Sequence, residues 1–256
     1  MLYPEELNGV FETMRAYNGR MFMLEEHITR LLESSKTSGI KISLRRDALK
    51  AMLKSALKKK GYKDAYIRFA VYADKFGRAK YHIVVKEAKI YPKTFYTKGV
   101  CVVTAATRRS AVESQNPKIK SSCFLNGILA KIEGLEHFES IMLNRKGLIT
   151  EGSVSNIFIV KDRKIFTPPT HLGVLCGITR NVVLRLAKKK GIGVYENPFT
   201  RHELFNADEC FLTNTSMEVM PVVNCDGRKI GNGKPGLVTN MLKDEFIKML
   251  KRGDIW

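Results

Sequence analysis

The chain has 256 residues, of which 44% are hydrophobic and 27% charged, an ordinary balance for a globular protein of one large or two modest domains. No apolar run approaches the roughly 20 residues that a membrane helix needs. The first six residues lack the basic and apolar regions of a signal peptide. We therefore expect a cytoplasmic protein without a membrane partner.

A net charge of +19 raises the possibility of nucleic-acid binding, because clustered lysine and arginine side chains displace counterions from phosphate. The charge distribution argues against it. The lysine runs at 58–60 and 188–190 each end a helical pattern just before a glycine, where cations favour the negative end of the helix dipole. No aromatic residues alternate with basic ones in the manner that stacks bases. We expect solvated helix ends and no nucleic-acid partner.

The cysteines and histidines give no sign of a metal centre. Five cysteines are odd in number, spread through apolar surroundings and never arranged as Cys-x-x-Cys, which is typical of buried free thiols. The five histidines are equally scattered. We expect no bound metal.

The N-terminal third of the chain predicts a small α/β domain over residues 1–92. Residues 11–17 are rich in strand formers, and Asn18-Gly19 is a strong hairpin signal. Two amphipathic helical patterns follow, one starting at Leu24 and one ending at Gly61. Two strand-like runs, 65–73 and 81–87, then flank a polar loop.

Tyr91-Pro92-Lys93-Thr94 reads as a linker, and residues 97–256 are expected to form a larger second domain. Short strands alternate there with a few helices, at 124–136, 179–190 and 237–250. Runs of strands with sparse helices indicate an α+β fold rather than regular βαβ winding.

The most informative feature is a candidate amine nucleophile, Lys120, followed about thirty residues later by the carboxylate of Glu151. This pair suits a pyridoxal phosphate site. The lysine would form the Schiff base with the cofactor, and the carboxylate would keep the pyridine nitrogen protonated.

Two segments could bind the cofactor phosphate. Around Gly177, a tight turn precedes a helix whose first amides would point at an anion, with Thr179 near the helix start. The alternative is a glycine turn with a threonine cap that serves only the helix. The hydroxyl-rich stretch 213–216 follows an apolar strand and could equally be a plain turn.

Over nearly its whole length the chain resembles the class IV aminotransferases, the fold-type IV pyridoxal phosphate enzymes. These include branched-chain and D-amino-acid aminotransferases and aminodeoxychorismate lyase. The motifs that carry the resemblance are residues 10–19 (VFETMRAYNG), 26–31 (EHITRL), 119–121 (IKS), 150–152 (TEG), 155–158 (SNIF), 167–169 (TPP), 177–180 (GITR), 207–209 (ADE) and 218–221 (EVMP).

The resemblance implies that Lys120 is the Schiff-base lysine and moves the proton between the substrate α-carbon and the cofactor. It implies that Glu151 pairs with the pyridine nitrogen and that Arg30 is the phosphate cation. Without it, Arg30 would read as part of a solvated helix face. The remaining phosphate ligands that the family implies are two backbone amides and one hydroxyl: Ile178, Thr179 and Thr215.

The family also implies a homodimer with active sites between the two domains and a β-barrel-like core in the larger domain. Residues near Phe11 would reach toward the partner. Members usually begin with an additional strand pair before the Phe11 position, and here only Leu7-Asn8-Gly9 corresponds to it. This shortening is expected to affect the dimer or the substrate rather than the cofactor residues.

The substrate cues disagree. The spacing after Lys120, with Phe124 where members often carry tyrosine, is similar to D-amino-acid aminotransferases and the lyases. The stretch 65–68 (AYIR) is similar to a strand of branched-chain enzymes. Arg78 and Lys80 align with the pair that holds the substrate carboxylate in D-amino-acid aminotransferases, where the second member is a histidine. Two cations at these positions suit a dicarboxylate substrate. The alternative is an exposed basic loop without a substrate role. Arg15 is a third carboxylate candidate.

Three functions follow from these features. The first is an aminotransferase that moves an amino group between a small α-amino acid, of the D or branched-chain type, and a 2-oxo acid such as 2-oxoglutarate or pyruvate. The second is aminodeoxychorismate lyase, which forms 4-aminobenzoate and pyruvate. The third is a basic nucleic-acid-binding protein on an enzyme fold that has lost its chemistry.

Overall fold

The computed structural model describes residues 9–252, which form two compact units. The first contains the chain up to Ile90, Lys118–Phe124 and Arg252, and the second contains Tyr91–Pro117 and Leu125–Lys251. The segment Lys118–Phe124 thus packs with the first unit, outside the boundaries predicted for the first domain. Those boundaries stay a prediction, and Leu7 and Asn8 of the shortened N-terminal stretch lie outside the described residues.

The first unit is an antiparallel four-stranded sheet, in the order β2-β1-β3-β4, packed against two helices. Its elements are β1 (Val10–Tyr17), β2 (Arg20–Met21), α1 (Leu24–Thr37), α2 (Arg46–Lys60), β3 (Ala65–Ala73) and β4 (Ala79–Glu87). The bounds predicted for β3 are confirmed. β4 begins two residues earlier than predicted, because a tight turn at Asp74–Gly77 brings the two strands into register at once.

Alternation along β1 gives this sheet two different faces. Val10, Met14 and Ala16 are fully buried and contribute to the core with α1 and α2. The intervening residues, including Phe11 and Arg15, are half-buried. Because side chains of neighbouring strands in register share a face, Arg68 of β3, opposite Thr13, joins Phe11 and Arg15 on that second face.

The second unit is built on nine strands, eight in the order β10-β9-β8-β11-β12-β5-β6-β7, with β13 paired to β12. The strands are β5 (Val100–Arg108), β6 (Glu139–Leu143), β7 (Ile149–Gly152), β8 (Asn156–Lys161), β9 (Lys164–Thr167), β10 (Val194–Glu196), β11 (Glu209–Asn214), β12 (Glu218–Cys225) and β13 (Arg228–Lys229). β7, at the end of the path, also contacts β8. The sheet therefore curls back on itself, as expected for a barrel-like core.

The helices of the second unit are α3 (Lys93–Lys98), α4 (Leu125–Glu133), α5 (Ile178–Lys189), α6 (Arg201–Phe205) and α7 (Leu237–Arg252), with a 3₁₀ turn at Thr170–Leu172. None of the helices among residues 9–252 combines the length and the apolarity that crossing a membrane requires.

The prediction of a linker at 91–94 is wrong at its second half, because α3 begins at Lys93, directly after Pro92. Proline favours the start of a helix, since it lacks the N–H that a helix start leaves unused. The helix is fixed by tertiary contacts: Tyr96 Oη donates to the carbonyl of Met217 at 3.2 Å, and Phe95 stacks edge-on against Phe138. Six residues are too few to display a helical period, so local patterning carries no signal of this helix.

Replacing Leu53 by alanine tests the core between α2 and the sheet of the first unit. Leu53 is fully buried, and such a truncation removes about 2–5 kcal/mol from the free energy of unfolding. Urea unfolding followed by far-ultraviolet circular dichroism measures the change. The neighbouring exposed Lys54→Ala is the control and should change stability by less than about 0.5 kcal/mol. Equal losses in both variants would contradict this packing.

Candidate active site

A buried carboxylate, Glu12, organises the junction of β1 and α1. It points to the helix-covered face of β1 and is 1% exposed. Arg30 donates two hydrogen bonds to it, from Nε to Oε1 at 2.6 Å and from Nη2 to Oε2 at 2.7 Å. His27, three residues earlier on α1, places Nδ1 2.7 Å from Oε2. Two buried polar groups, Glu12 and His27, and the part-buried guanidinium of Arg30 are thus joined in one ion-pair network.

The network fixes the charges of its members. Burial by itself raises the pKa of Glu12, but the charge and hydrogen bonds of Arg30, with those of His27, outweigh it and lower that pKa from 4.5 to about 2. Burial lowers the pKa of His27 from 6.5, against the opposing influence of Glu12. Glu12 is therefore a carboxylate and His27 a neutral imidazole near pH 7, with its Nδ1–H donating to Glu12.

The interpretation of Arg30 as part of a solvated helix face is wrong, since its side chain is only 12% exposed. Its fork geometry matches the carboxylate on two sides. The predicted role of Arg30 as a phosphate cation stays a prediction. Sequence reasoning missed Glu12 and His27, although both lie inside the motifs quoted for the family.

The candidate nucleophile Lys120 is held by its backbone on both sides. Its carbonyl accepts from the N–H of Phe11 at 2.9 Å, and its N–H donates to Ser34 Oγ at 3.2 Å. The next residue, Ser121, forms a β-bridge with Val10. The Lys118–Phe124 segment therefore lies against the start of β1 and brings the lysine beside that strand.

The side chain of Lys120 lies beside an aromatic ring that a second cation also contacts. Lys120 Nζ is 4.8 Å from the ring centre of Phe11, and the guanidinium carbon of Arg68 is 4.1 Å from the same centre. Phe124 adds a second ring, 5.8 Å from that of Phe11. Sequence reasoning did not assign Arg68, although strand alternation across β1 and β3 could have placed it here.

The other substrate candidates of this unit lie in different surroundings. Arg15 is half-buried, with its guanidinium carbon 4.5 Å from the ring centre of Tyr17. Arg78 and Lys80 are 67% and 51% exposed and approach Asp74 at 3.0 and 3.7 Å. The structure thus gives this pair a local counterion on the β3–β4 turn, and its substrate role stays a prediction.

In the second unit, Glu151 on β7 is buried, and both of its carboxylate oxygens have partners. Its Oε2 accepts from the N–H of Leu175 at 2.9 Å and from Asn156 Nδ2 at 3.4 Å. Its Oε1 lies 3.0 Å from Arg109 Nε. The carboxylate is held in one orientation by these contacts.

A second buried carboxylate holds the loop between Glu151 and Asn156. Glu139 accepts from the hydroxyl of Ser153 at 2.5 Å and of Ser155 at 2.9 Å, and from the amides of Ser153 and Val154. A carboxylate with several hydrogen-bond donors is satisfied without a cation. The loop that follows the strand of Glu151 is thereby held through all three of its residues, Ser153, Val154 and Ser155.

The start of α5 fits a phosphate. The helix begins at Ile178 after Gly177, which provides no side-chain cap, so the first amides stay available for an anion. A Cβ on Gly177 would lie 2.0 Å from Asn156 Oδ1, which explains the glycine. Thr179 is the second helical residue, so the alternative of a threonine cap at the helix start is wrong. The role of Ile178 and Thr179 as phosphate ligands stays a prediction.

Thr215 lies in the turn between β11 and β12, where Asn214 Oδ1 accepts from the amides of Ser216 and Met217 at 2.8 Å. Nearby in sequence, Thr213 is 1% exposed, and its Oγ1 has no hydrogen-bond partner within the part of the chain that the structure describes. Ser35, Ser122 and Ser140 have buried hydroxyls of the same kind, so Thr213 alone does not mark a ligand.

Each unit thus brings together its own share of the predicted site. Phe11, Arg15, Arg30 and Lys120 belong to the first unit, whereas Glu151, Ile178, Thr179 and Thr215 belong to the second. A guanidinium and the amides of an uncapped helix start are donors that suit a phosphate, and a fixed carboxylate is an acceptor that suits a protonated pyridine nitrogen. The residues present fit pyridoxal phosphate.

Comparison with known proteins places the chain in a family. Residues 9–225 match the sequence profile of the family described as Amino-transferase class IV. A protein of Methanocaldococcus jannaschii, provisionally named as a branched-chain-amino-acid aminotransferase, is 40% identical over 93% of this chain and 86% of its own. The D-alanine aminotransferase of Bacillus licheniformis is 36% identical, over 91% and 84%.

Among solved structures, the T.th. branched-chain amino acid aminotransferase with pyridoxamine 5'-phosphate superimposes with a TM-score of 0.89. It is 31% identical, and the match covers 94% of this chain and 85% of that one. The fold is that of the fold-type IV enzymes. The chain belongs to the class IV aminotransferases and is a pyridoxal phosphate-dependent aminotransferase, as its motifs predicted.

Glu12→Gln tests the buried network through its pH dependence. The pKa of Glu12 is about 2 in the folded chain against 4.5 ordinarily, so its stabilisation is present above pH 4.5 and lost between 4.5 and 2. The variant should lose about 3–5 kcal/mol of stability at pH 7, because Arg30 keeps a charge without its partner. It should also lose stability less steeply below pH 4.5 in urea titrations.

The control is Glu25→Gln, since Glu25 is an exposed carboxylate paired with Lys50 at 2.6 Å. Exposed pairs contribute about 1 kcal/mol at most. A Glu12→Gln variant with the acid limb of the wild type would show that this carboxylate does not titrate as its surroundings require.

Proposed function

We propose that the protein transfers an amino group between a small α-amino acid, of the branched-chain or D type, and a 2-oxo acid such as 2-oxoglutarate or pyruvate. The observation that carries the proposal is the cluster around Phe11. An amine, Lys120, and a guanidinium, Arg68, contact one ring. A guanidinium near the nucleophilic amine suits the carboxylate that every amino acid and oxo acid carries.

Five groups of the chain would hold the cofactor. Arg30, already fixed on Glu12, and the amides of Ile178 and Thr179 would bind the phosphate, joined by the hydroxyl of Thr215. Glu151 would accept the hydrogen of the pyridine nitrogen. When bound, pyridoxal phosphate supplies an electron sink for the pair left on the α-carbon after proton removal.

Lys120 would then act as both covalent anchor and proton carrier. Its backbone is tied to Phe11 and Ser34, so motion is confined to the side chain. Once released from the cofactor, its amine can take the α-proton of the substrate and return it to the cofactor side. The Phe11 ring gives the ammonium form a favourable contact during this transfer.

The substrate surroundings combine rings with cations. Phe11 and Phe124 offer apolar contact to an aliphatic side chain, whereas Arg68 and Arg15 offer charge to a carboxylate. Arg78 and Lys80 would add a second carboxylate contact for a dicarboxylate acceptor, exchanging Asp74 for the substrate. Relatives named for branched-chain and for D-alanine activity support both substrate types. A spectroscopic assay with D- and L-amino acids distinguishes the handedness of the substrate.

The protein would work as a homodimer through α4. Apolar residues at i, i+3, i+4 and i+7 spacing on α4 and just after it are between 38% and 71% exposed: Leu125, Ile128, Leu129, Ile132 and Leu135. The charged groups of α4 are turned to its own chain, Lys131 to the Phe138 carbonyl and Glu133 to the amide of Thr107. A chain of charge +19 repels its copy, so an uncharged apolar surface is where two copies can meet.

A cytoplasmic location belongs to the same proposal. None of the five cysteines, all of which lie within residues 9–252, forms a disulfide. Free thiols persist in a reducing compartment, and amino acid and oxo acid substrates are available there.

The first test is the absorbance spectrum of the protein with pyridoxal phosphate, before and after D-alanine, D-glutamate, L-leucine and L-glutamate. We expect a cofactor band that one amino acid abolishes, and no such band in Lys120→Ala, because the amine forms the covalent bond. The responding amino acid gives the handedness. A band that ignores every amino acid, with pyruvate released from aminodeoxychorismate, would favour the lyase instead.

The dimer is tested by Leu129→Glu combined with Ile132→Glu. Two buried carboxylates should separate the chains, and sedimentation equilibrium should give the mass of one chain rather than two. Leu237→Glu is the control, because Leu237 is 87% exposed on α7 and should leave the dimer intact. Dimers that survive the double substitution would place the interface elsewhere.

A further inference from the structure

We infer that Arg109 is a positioning residue for the reaction: it keeps Glu151 ionised and oriented, so that the shared proton stays on the pyridine nitrogen of the cofactor. The inference rests on the proposed role of Glu151 as the partner of that nitrogen. It assigns a function to a residue that the motifs of the chain did not indicate.

The geometry makes Arg109 the cation of this carboxylate. Arg109 Nε lies 3.0 Å from Glu151 Oε1, and the side chains are 13% and 8% exposed. The other oxygen, Oε2, accepts from the amide of Leu175 at 2.9 Å. Arg109 thus contacts Oε1, whereas Oε2 accepts from the backbone amide of Leu175 and from Asn156 Nδ2.

Arg109 is itself fixed by backbone from two other segments. Its N–H donates to the carbonyl of Leu143 at 2.9 Å, and its Nε donates to that of Gly173 at 2.8 Å. Gly173 has φ +98°, and a Cβ there would lie 3.3 Å from Arg109 Cγ. The aliphatic part of the Arg109 side chain therefore passes close to the place where a side chain at position 173 would begin. It is therefore held in place independently of Glu151.

The charge of Arg109 decides where a shared proton goes. A pyridine nitrogen and a carboxylate are two bases that compete for one proton, and only a protonated ring withdraws electrons fully. A guanidinium cannot give up its proton in a protein. Its permanent charge beside a nearly buried carboxylate favours the ionised form of that carboxylate. The proton is thereby left on the ring.

The neighbouring arginine provides a matched control. Arg108 donates through Nη1 to the carbonyls of Ala105 and Ala106, at 2.9 and 3.0 Å, all within β5. Its guanidinium is thus engaged by its own strand. Arg108→Gln therefore removes the same type of charge one residue away from the proposed position.

The experiment compares wild type, Arg109→Gln, Arg109→Lys and Arg108→Gln, each saturated with pyridoxal phosphate labelled with ¹⁵N in the ring. The ¹⁵N chemical shift reports protonation of the pyridine nitrogen directly. We expect the protonated shift in wild type and Arg108→Gln, and a move toward the unprotonated value in Arg109→Gln. Arg109→Lys, which keeps the charge, should recover most of the protonated shift.

Steady-state kinetics should follow the spectrum. In Arg109→Gln, kcat should fall by about tenfold or more with KM changed less than about threefold, because proton placement affects the chemical step rather than substrate binding. If Arg109→Gln folds but does not retain the cofactor, recovery of binding in Arg109→Lys supports the inference, and failure of both overturns it. If Arg109→Gln does not fold, the ¹⁵N shift in Arg109→Lys is the test. A protonated shift in that variant supports the inference, and an unprotonated shift overturns it.

The outcomes separate the two proposals. A protonated shift and unchanged kcat in Arg109→Gln overturn the role of Arg109 and leave the proposed function intact. A wild-type protein that binds no cofactor, or shows an unprotonated ring, overturns the proposed role of Glu151 instead.

Discussion

The buried carboxylate of Glu12 is the constraint on which the first unit depends. It occupies an inward position of β1, where alternation demands an apolar side chain, and the polar side chains His27 and Arg30 of α1 meet it there. A buried ion pair contributes little net stability, but removing one partner is costly. Its main effect is to specify geometry. Arg30 can satisfy Glu12 with two nitrogens only if α1 crosses β1 at one place, so the same contact that orients the helix also aims the predicted phosphate cation.

The second unit also contains two buried carboxylates, Glu139 and Glu151, and their hydrogen-bond partners differ in kind. Glu139 is fully buried and accepts hydrogen bonds from hydroxyls and amides, whereas Glu151 also has the guanidinium of Arg109 at 3.0 Å. Neutral donors are enough for a carboxylate that only holds a loop. In the proposed role of Glu151, the carboxylate shares a proton with a base, and its charge is then set by a group that does not titrate. Under that proposal the distribution of donors distinguishes the structural carboxylate on β6 from the functional one on β7.

How much could be predicted from sequence depends on the range of the interaction. Local signals located the hairpin at Asn18-Gly19, the strand β3 and the helix stop at Gly61, since turn chemistry and periodicity act over a few residues. The short helix α3 was not predicted, because tertiary contacts such as that of Tyr96 with Met217 stabilise it. The roles of Glu12 and Arg109 were not predicted for a related reason. Each role depends on a partner on another element, Arg30 for Glu12 and Glu151 for Arg109. A single sequence does not give the distances between such partners.

The contacts of the acidic residues bear on how the high positive charge affects the proposed assembly. With 44 basic and 25 acidic residues, a carboxylate could be expected to serve mainly as a surface counterion. Several instead accept from backbone amides: Glu133 of α4 from the amide of Ala106 in β5, Glu203 of α6 from that of Thr200, and Glu209 of β11 from that of Thr239 in α7. Whatever contacts the acids make, the composition leaves a net charge of +19. Apolar α4 is then the surface on which like-charged copies repel each other least, which ties the basic composition to the proposed mode of assembly.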